Sequence, residues 1–406
     1  MKILQVSHRV PYPLNEGGTI GIYNYTRGFA EAGHQVTLAC LNGIKHAINS
    51  DEAYHELSKY AKVSIFDVDT NVKPIPAFLN LFTRQSYNAI RFYNKDFEQF
   101  LVTLLTSEKF DIIQVEGTFV AMYYEVLRHH SQAPIILRQH NVEYQIWERL
   151  ASNETNPLKK WYLKLLSKRL YNFEKATINK FDAIVPVTPD DAKLFEQLGC
   201  TKPIFVSPAG IDTYYWKPST PENPFHIFHL GSLEWLPNRE AVLWFLKEVW
   251  PCILKSDKRF QLFIAGKNMP DSMKQIKIEN VVMVGEVKDG AEFVKDKAIT
   301  VVPLLSGSGI RLKILEAMAA SKLVISTTIG AQGIDYENGK QLLIADTPEE
   351  FAAYFKTMAS HPEYYNQVKT NGYELIQSHY SNAAVISKLI EFFVITQKKH
   401  PFLNAF

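Results

Sequence analysis

The chain has little to cross-link with, little net charge and no apolar run long enough to span a membrane. Its three cysteines, Cys40, Cys200 and Cys252, are odd in number and scattered over 406 residues. A disulfide framework is thereby excluded as the basis of the fold. Cys40 and Cys252 sit in apolar segments, which reads as buried, reduced thiols in a reducing compartment. Net charge is only +2, so bulk charge gives no reason to invoke nucleic acid. No stretch approaches the about 20 apolar residues that cross a bilayer. The opening Met-Lys-Ile-Leu-Gln-Val-Ser-His reads as a strand, not a signal peptide. These absences point to the cytoplasm. Chemical motifs are equally sparse. No His, Cys and carboxylate set has the spacing of metal ligands, so no metal site is expected. No Gly-x-Ser-x-Gly elbow is present. No Gly-x-Gly-x-x-Gly follows the first strand, which weighs against a dinucleotide-dependent oxidoreductase.

What the chain does have is alternation. At 46% apolar and 21% charged it is an ordinary globular sequence, and its length implies two domains. Apolar runs read as strands at Lys2–His8, Gln35–Leu41, Val63–Val68, Asp111–Glu116, Pro134–Gln139, Ala183–Val187 and Ile204–Ser207, with helical patterns between most of them. Asp212–Pro224, rich in Pro, Thr, Ser and Asn, reads as a linker. A second series follows: Phe225–Leu230, Gln261–Ala265, Val281–Val284, Thr300–Leu304, Leu323–Ser326 and Leu342–Ala345, with helices at Arg239–Lys255, Arg311–Ala320 and Pro348–Ala359. Asn382–Lys398 reads as one long final helix. Such alternation implies an α/β fold of two doubly wound, Rossmann-like parallel sheets. If the carboxyl ends of their strands face each other across a cleft, the cleft is the site.

The sharpest local signal is the strand ending at Leu304, followed by Ser306-Gly307-Ser308-Gly309-Ile310 and then a helix with Arg311 and Lys313 at its start. A glycine turn at a helix N-terminus aims free N–H groups and positive dipole charge at whatever lies beyond the strand, and a diphosphate fits such a site. Arg311 and Lys313 would stabilise it further. Glu316 could accept hydrogen bonds from ribose hydroxyls, form a surface pair with Lys313, or simply be solvated. Gly17 and Gly18, after the first strand, are either a plain turn or a second close backbone approach to the same diphosphate.

His140 closes a buried strand in Arg138-Gln139-His140-Asn141, a polar cluster on the ligand edge of such a sheet. It is either a hydrogen-bonding or acid/base group or a structural histidine. Lys159–Lys180 is a basic amphipathic helix, with lysines interleaved by Trp161, Leu163, Leu166, Leu170 and Phe173. It fits either an anionic membrane surface or a helix packed on its own domain. Pro76–Leu105, aromatic and apolar, would line a lipid-linked acceptor site or be core.

The pattern resembles the retaining glycosyltransferases of family 4, which have the GT-B architecture. The residues that carry the likeness are the Gly17-Gly18 loop, Val206–Asp212, Leu230–Asn238 with Gly231 and Ser232, Val284–Val287 and, above all, Ser306–Ala319. The resemblance implies an acceptor-side domain of residues 1–208 with 382–406, and a nucleotide-sugar domain of 209–381. It implies ribose binding by Glu316, donor contacts by Ser306, Gly307, Ser308 and Gly309, a nucleobase near Val287, and His140 at the sugar–acceptor junction. Two departures stand out. The family's first paired Glu is Ser308 here, and its Arg and Lys after the first strand of the second domain are replaced around Ser232 and Pro237. Arg311 and Lys313 would then supply that charge. The implied activity is metal-independent transfer from a UDP- or GDP-linked sugar, with no further cofactor, to a glycan or lipid-linked acceptor in surface polysaccharide or glycolipid synthesis. Peripheral contact with the inner face of the membrane through 159–180 goes with it. The other readings are a non-catalytic nucleotide-sugar-binding protein and a GT-B nucleotide-sugar epimerase.

Overall fold

The structure, a computed structural model, describes residues 1–14, 17–43, 49–307 and 309–400. The chain divides into two units, Met1–Gly210 with the chain from Val385 onward, and Ile211–Ala384.

The first unit is built on a six-stranded sheet of β1 (Lys2–Ser7), β2 (Gln35–Gly43), β3 (Lys62–Val68), β4 (Ile112–Glu116), β5 (Ile135–Gln139) and β6 (Ala183–Pro186), in the order β3-β2-β1-β4-β5-β6. Every pairing is parallel. Sheets of this kind are covered on both faces, so their strands are continuous apolar runs. Side chains alternate between the faces: Leu4, Val6, Val115 and Leu137 join one core, and Ile3, Ile112, Ile136 and Val185 join the other. The helices that matter below are α1 (Gly17–Glu31), α2 (Glu143–Asn153) and α3 (Pro157–Ile178).

The second unit contains β7 (His226–Leu230), α4 (Leu236–Trp244), β8 (Gln261–Ala265), β9 (Val281–Gly285), β10 (Ile299–Val302), α5 (Leu312–Ala319), β11 (Leu323–Ser326) and β12 (Leu343–Ile344). Its sheet runs β12-β11-β10-β7-β8-β9, again all parallel. Read from the other edge this is the same winding as the first sheet. In each, the strand order reverses beside the first strand, between β1 and β4 and between β7 and β10. Ligands of doubly wound sheets bind at that point, beyond the carboxyl ends of the strands. The last helix, α6 (Asn382–Lys399), buries Val385, Ile386, Leu389 and Phe393 against Ile3, Phe29, Ile112 and Ile136 of the first unit.

Several expectations change. Ile204–Ser207 is not a regular strand of the sheet: it runs beside β6 with one bridge, Ile204 to Ile184, and the amides of Phe205 and Ser207 donate to the carbonyls of Ile184 (3.0 Å) and Pro186 (2.9 Å). The stretch expected as one helix over Arg239–Lys255 is α4, a wide turn at Phe245–Val249, and a short helix Trp250–Ser256. Pro251 cannot supply the amide that would continue regular hydrogen bonding, and the turn before it opens. Cys252 is exposed rather than buried; Cys40 is buried, and all three thiols are free. The expected linker belongs to the second unit, since Trp216 is buried in its core and Ser219 accepts a hydrogen bond from Lys322 (2.9 Å). Gly17 and Gly18 form the first turn of α1 rather than a loop before it. Among the described residues no helix is long and apolar enough to cross a membrane.

Candidate active site

The second unit concentrates its polar groups where β7 meets β10. The chain leaves β10 through an exposed turn in which Gly307 (φ 122°) and Gly309 (φ 85°) take conformations that favour glycine. A Cβ on Gly307 would stand 2.7 Å from Arg311 Nη2 and 3.1 Å from the Trp235 ring. The turn therefore rests on those two side chains. Arg311, buried, donates from Nη1 to the Gly309 carbonyl, and its guanidinium carbon lies 5.5 Å from the centre of the Trp235 ring. Arg311 is the N-cap of α5 rather than a residue of its first turn, and its side chain does not cap the helix. The Ile314 amide closes a tight turn onto the Arg311 carbonyl (2.9 Å), and among the described residues no N-cap side chain takes up the amides of Leu312 and Lys313, which point out of the helix start. Ser306 is exposed on the same turn, and Ile310 packs against Gly333. Ser308 lies outside the described residues.

Lys313 reaches from α5 to the end of β7. Its Nζ donates to Asn238 Oδ1 (2.7 Å), and Asn238 Nδ2 donates to the Ser232 carbonyl (2.8 Å). A Cβ on Gly231 would stand only 2.5 Å from that ammonium. Glycine at 231 is what lets the cation sit against the backbone. On the neighbouring strand Gly266 is constrained in the same way, since a Cβ there would overlap the carbonyl oxygen of Gly231. Burial pushes Lys313 down to about 7 and Glu316 up to about 7, each partly offset by the other's charge. Both line one small cavity with Trp216, Phe228, Leu230 and Ala317. Val287 is half-buried beyond β9. The segment after it is braced by Tyr215, whose hydroxyl donates to Asp289 Oδ1 (2.9 Å) and accepts from the Gly290 amide (3.2 Å).

The first unit gathers a second constellation where β1 meets β4. Glu116 ends β4 fully buried. Its Oε2 accepts from Arg138 Nη1 (2.9 Å) and lies 3.0 Å from His140 Nε2, while Oε1 accepts from Gln114 (2.5 Å) and Gln5 (3.3 Å). Burial alone would raise this carboxyl; Arg138 and His140 overcome it and hold it at about 2. Burial and the Arg138 charge also hold His140 below the usual imidazole range. The neutral form is therefore favoured; a proton on Nε2, which lies 3.0 Å from the Glu116 carboxylate and 3.3 Å from Arg138 Nη1, would leave Nδ1 as an acceptor. His8 makes its own contacts, Nδ1 to the Glu116 carbonyl (2.8 Å) and Nε2 to Arg9 Nε (3.0 Å). Burial, then Arg9, drives His8 down to about 3. A Cβ on Gly18 would touch the Arg9 guanidinium at 3.3 Å, whereas Gly17 faces open space.

Sequence reasoning missed Glu116, His8, Arg9, Asn238, Trp216 and Trp235. Glu116 had a readable signal, a carboxylate closing an otherwise apolar strand. It also overlooked an Asp-x-Asp pair at the end of β3. Asp67 accepts from Asn42 (2.8 Å) and Asp69 pairs with Lys73 (2.9 Å). Among the described residues no group of three or more His, Cys, Asp and Glu stands where it could hold a metal ion.

Beside this constellation, Glu174 of α3 is buried at the N-terminus of α2. It accepts from the amides of Glu143 (3.2 Å) and Tyr144 (3.0 Å), with the Thr118 hydroxyl 2.9 Å away. Burial outweighs these bonds and raises its carboxyl to about 7. The folded chain then holds a proton that the unfolded chain has released, so this group's contribution to stability falls as pH rises from about 4.5 through about 7. Glu174→Gln should flatten that dependence. Denaturant midpoints at pH 5.5 and pH 8 should move apart less in the variant than in the wild type.

Comparison with known proteins follows the same division. A Glycosyltransferase Family 4 model matches residues 16–215, and a Glycosyl transferases group 1 model matches residues 224–361. A 44.6 kDa protein from the cps region of Klebsiella pneumoniae is 24% identical over 427 residues, covering 96% of this chain and 99% of its own. Anabaena HepE, solved with UDP, is similar in fold with a TM-score of 0.63 at 12% identity, over 97% of this chain and 100% of that one. TarM of S. aureus gives 0.66 at 13% identity, over 97% and 98%. The two units are glycosyltransferase domains of the GT-B type, a Family 4 domain followed by a group 1 domain.

Proposed function

We propose that the chain is a retaining, metal-independent glycosyltransferase that takes a sugar from a nucleoside-diphosphate donor, UDP-linked in first choice. The observation that carries this reading is Lys313, seated against Gly231 beside the uncapped start of α5. The two cations usual after the first strand of such a domain are absent at Ser232 and Pro237, and Lys313 brings charge to that same strand end from another element. Anabaena HepE was solved with UDP and with UDP-glucose, which favours uridine as the base.

In this reading the diphosphate lies between the Gly231 backbone and the α5 amides, Glu316 accepts from the ribose hydroxyls, and Val287 flanks the base. As the bond from the anomeric carbon to the diphosphate breaks, its electron pair stays on the phosphate oxygen. Lys313, Arg311 and the helix amides stabilise the charge that gathers there. The acceptor hydroxyl attacks from the face the diphosphate leaves, and its proton passes to a phosphate oxygen. No enzymic nucleophile is needed. His140, neutral and fixed by Glu116, offers Nδ1 as an acceptor for a sugar hydroxyl. The relative from a cps region points to polysaccharide biosynthesis, with a glycan or lipid-linked glycan as acceptor on the cytoplasmic side of a membrane.

Gly231→Ala tests the arrangement. The atoms nearest the new Cβ are the flexible end of Lys313 and the Asn238 amide nitrogen, which can give way, so the variant should fold. It should bind UDP about tenfold more weakly, a loss of about 1.4 kcal/mol. Calorimetric affinity equal to wild type would remove the Gly231–Lys313 contact from the donor site.

A further inference from the structure

The segment 72–82 is folded inside out. Helix Pro74–Asn80 buries only its asparagine, while Ile75 and Phe78 stand 73% and 60% exposed, followed by Phe82 at 78%. Asn80 is inside because it is a structural rivet. Arg169 of α3 donates from Nη1 to Asn80 Oδ1 (2.7 Å) and to its carbonyl (2.9 Å), and from Nη2 to the Leu81 carbonyl (3.0 Å). Arg169, within the basic helix Lys159–Lys180, is thus buried, and its bonds tie the 72–82 segment to that helix.

The same helix carries the complementary charge. Leu158 and Trp161 are exposed at its start, 80% and 59%, and exposed Lys164 and Lys168 lie one and two turns beyond Trp161 on the same side. Exposed apolar side chains on one helix, and an exposed Trp with lysines on the helix that Arg169 ties to it, suit the boundary between anionic headgroups and acyl chains. A water-facing surface would not place Phe78, Phe82 and Trp161 outward and an asparagine inward.

We propose that this face docks the first unit on an anionic lipid surface, with Ile75, Phe78 and Phe82 entering the headgroup layer and Lys164 and Lys168 drawing the protein to it. It locates the membrane contact in 72–82 as much as in α3, and its use for a lipid-linked acceptor rests on the glycosyltransferase reading. The docking itself needs neither donor nor acceptor.

The test is flotation of the full chain with vesicles of phosphatidylcholine alone or with phosphatidylglycerol, alongside UDP calorimetry and size-exclusion chromatography. Wild type should float with the anionic vesicles at low salt, at least tenfold more than with the neutral ones. Phe78→Ser with Phe82→Ser should lose that binding, as should Lys164→Glu with Lys168→Glu, both keeping wild-type UDP affinity. No flotation of wild type, or flotation unchanged in either double variant, would overturn the docking. A dimer of wild type that the phenylalanine variant abolishes, without lipid binding, would overturn it in favour of a contact between copies. Lost UDP binding in wild type would count against the donor site and leave the flotation result standing.

Discussion

Lys313→Ala should slow sugar transfer by about two to three orders of magnitude, the scale of removing one preorganised donor from a developing oxyanion. The ammonium is held by Asn238 Oδ1 at 2.7 Å and pressed against Gly231, so it is already in place before any ligand arrives. Its charge is not free of cost: burial brings Lys313 down to about 7. A diphosphate reverses this by favouring the protonated form. Binding should therefore take up a proton above about pH 7, and affinity should weaken as pH rises further. Lys313→Arg should not restore the rate, because a planar guanidinium has no room where a Cβ on Gly231 would already clash. Initial rates of donor turnover, by transfer or by hydrolysis, give the measurement. A Lys313→Ala rate within tenfold of wild type would take this residue out of the chemistry.

Glu116→Ala should have the largest effect on stability, about 3–5 kcal/mol, the usual consequence of stranding one half of a buried ion pair. Glu116 and Arg138 are both 0% exposed, and the guanidinium lies over the Tyr25 ring with its carbon 3.6 Å from the ring centre. Without the carboxylate Arg138 loses its one ion-pair partner among the described residues and keeps the Tyr25 ring face, and His140 loses a hydrogen-bond partner of Nε2. The pH dependence has a definite sign. A carboxyl held at about 2 in the fold, and near its ordinary 4.5 when unfolded, stabilises fully above that ordinary value and loses its contribution as pH falls toward 2. Denaturant midpoints at pH 7 and pH 3.5 should therefore differ more in the wild type than in Glu116→Leu.

Much of the fold was legible because buried parallel strands are unbroken apolar runs, and the two series of them fixed the two sheets. Ile204–Ser207 misled for the same reason, since hydrophobicity does not tell a sheet strand from an extended segment making one bridge. The glycine turn at 306–309 was readable because only glycine suits the backbone at 307 and 309. The partners of its neighbours were not: Lys313 meets Asn238 across 75 residues of chain, and Glu116 meets Arg138 across 22. Such pairs come from the strand order, which local pattern does not specify. The 72–82 segment has a core-like composition, and its outward-facing apolar side chains follow from long-range bonds, of Asn80 to Arg169 and of the Lys73 backbone to Tyr87, that local pattern does not show.

The donor site is tested most directly by titrating UDP into the wild type and into Lys313→Ala in EDTA, in two buffers of different ionisation enthalpy at pH 8. Wild type should bind with proton uptake, and the variant should bind at least tenfold more weakly without it. Absence of binding by UDP, GDP and ADP in the wild type, or equal affinity in the variant, would contradict a diphosphate site at Gly231 and the start of α5.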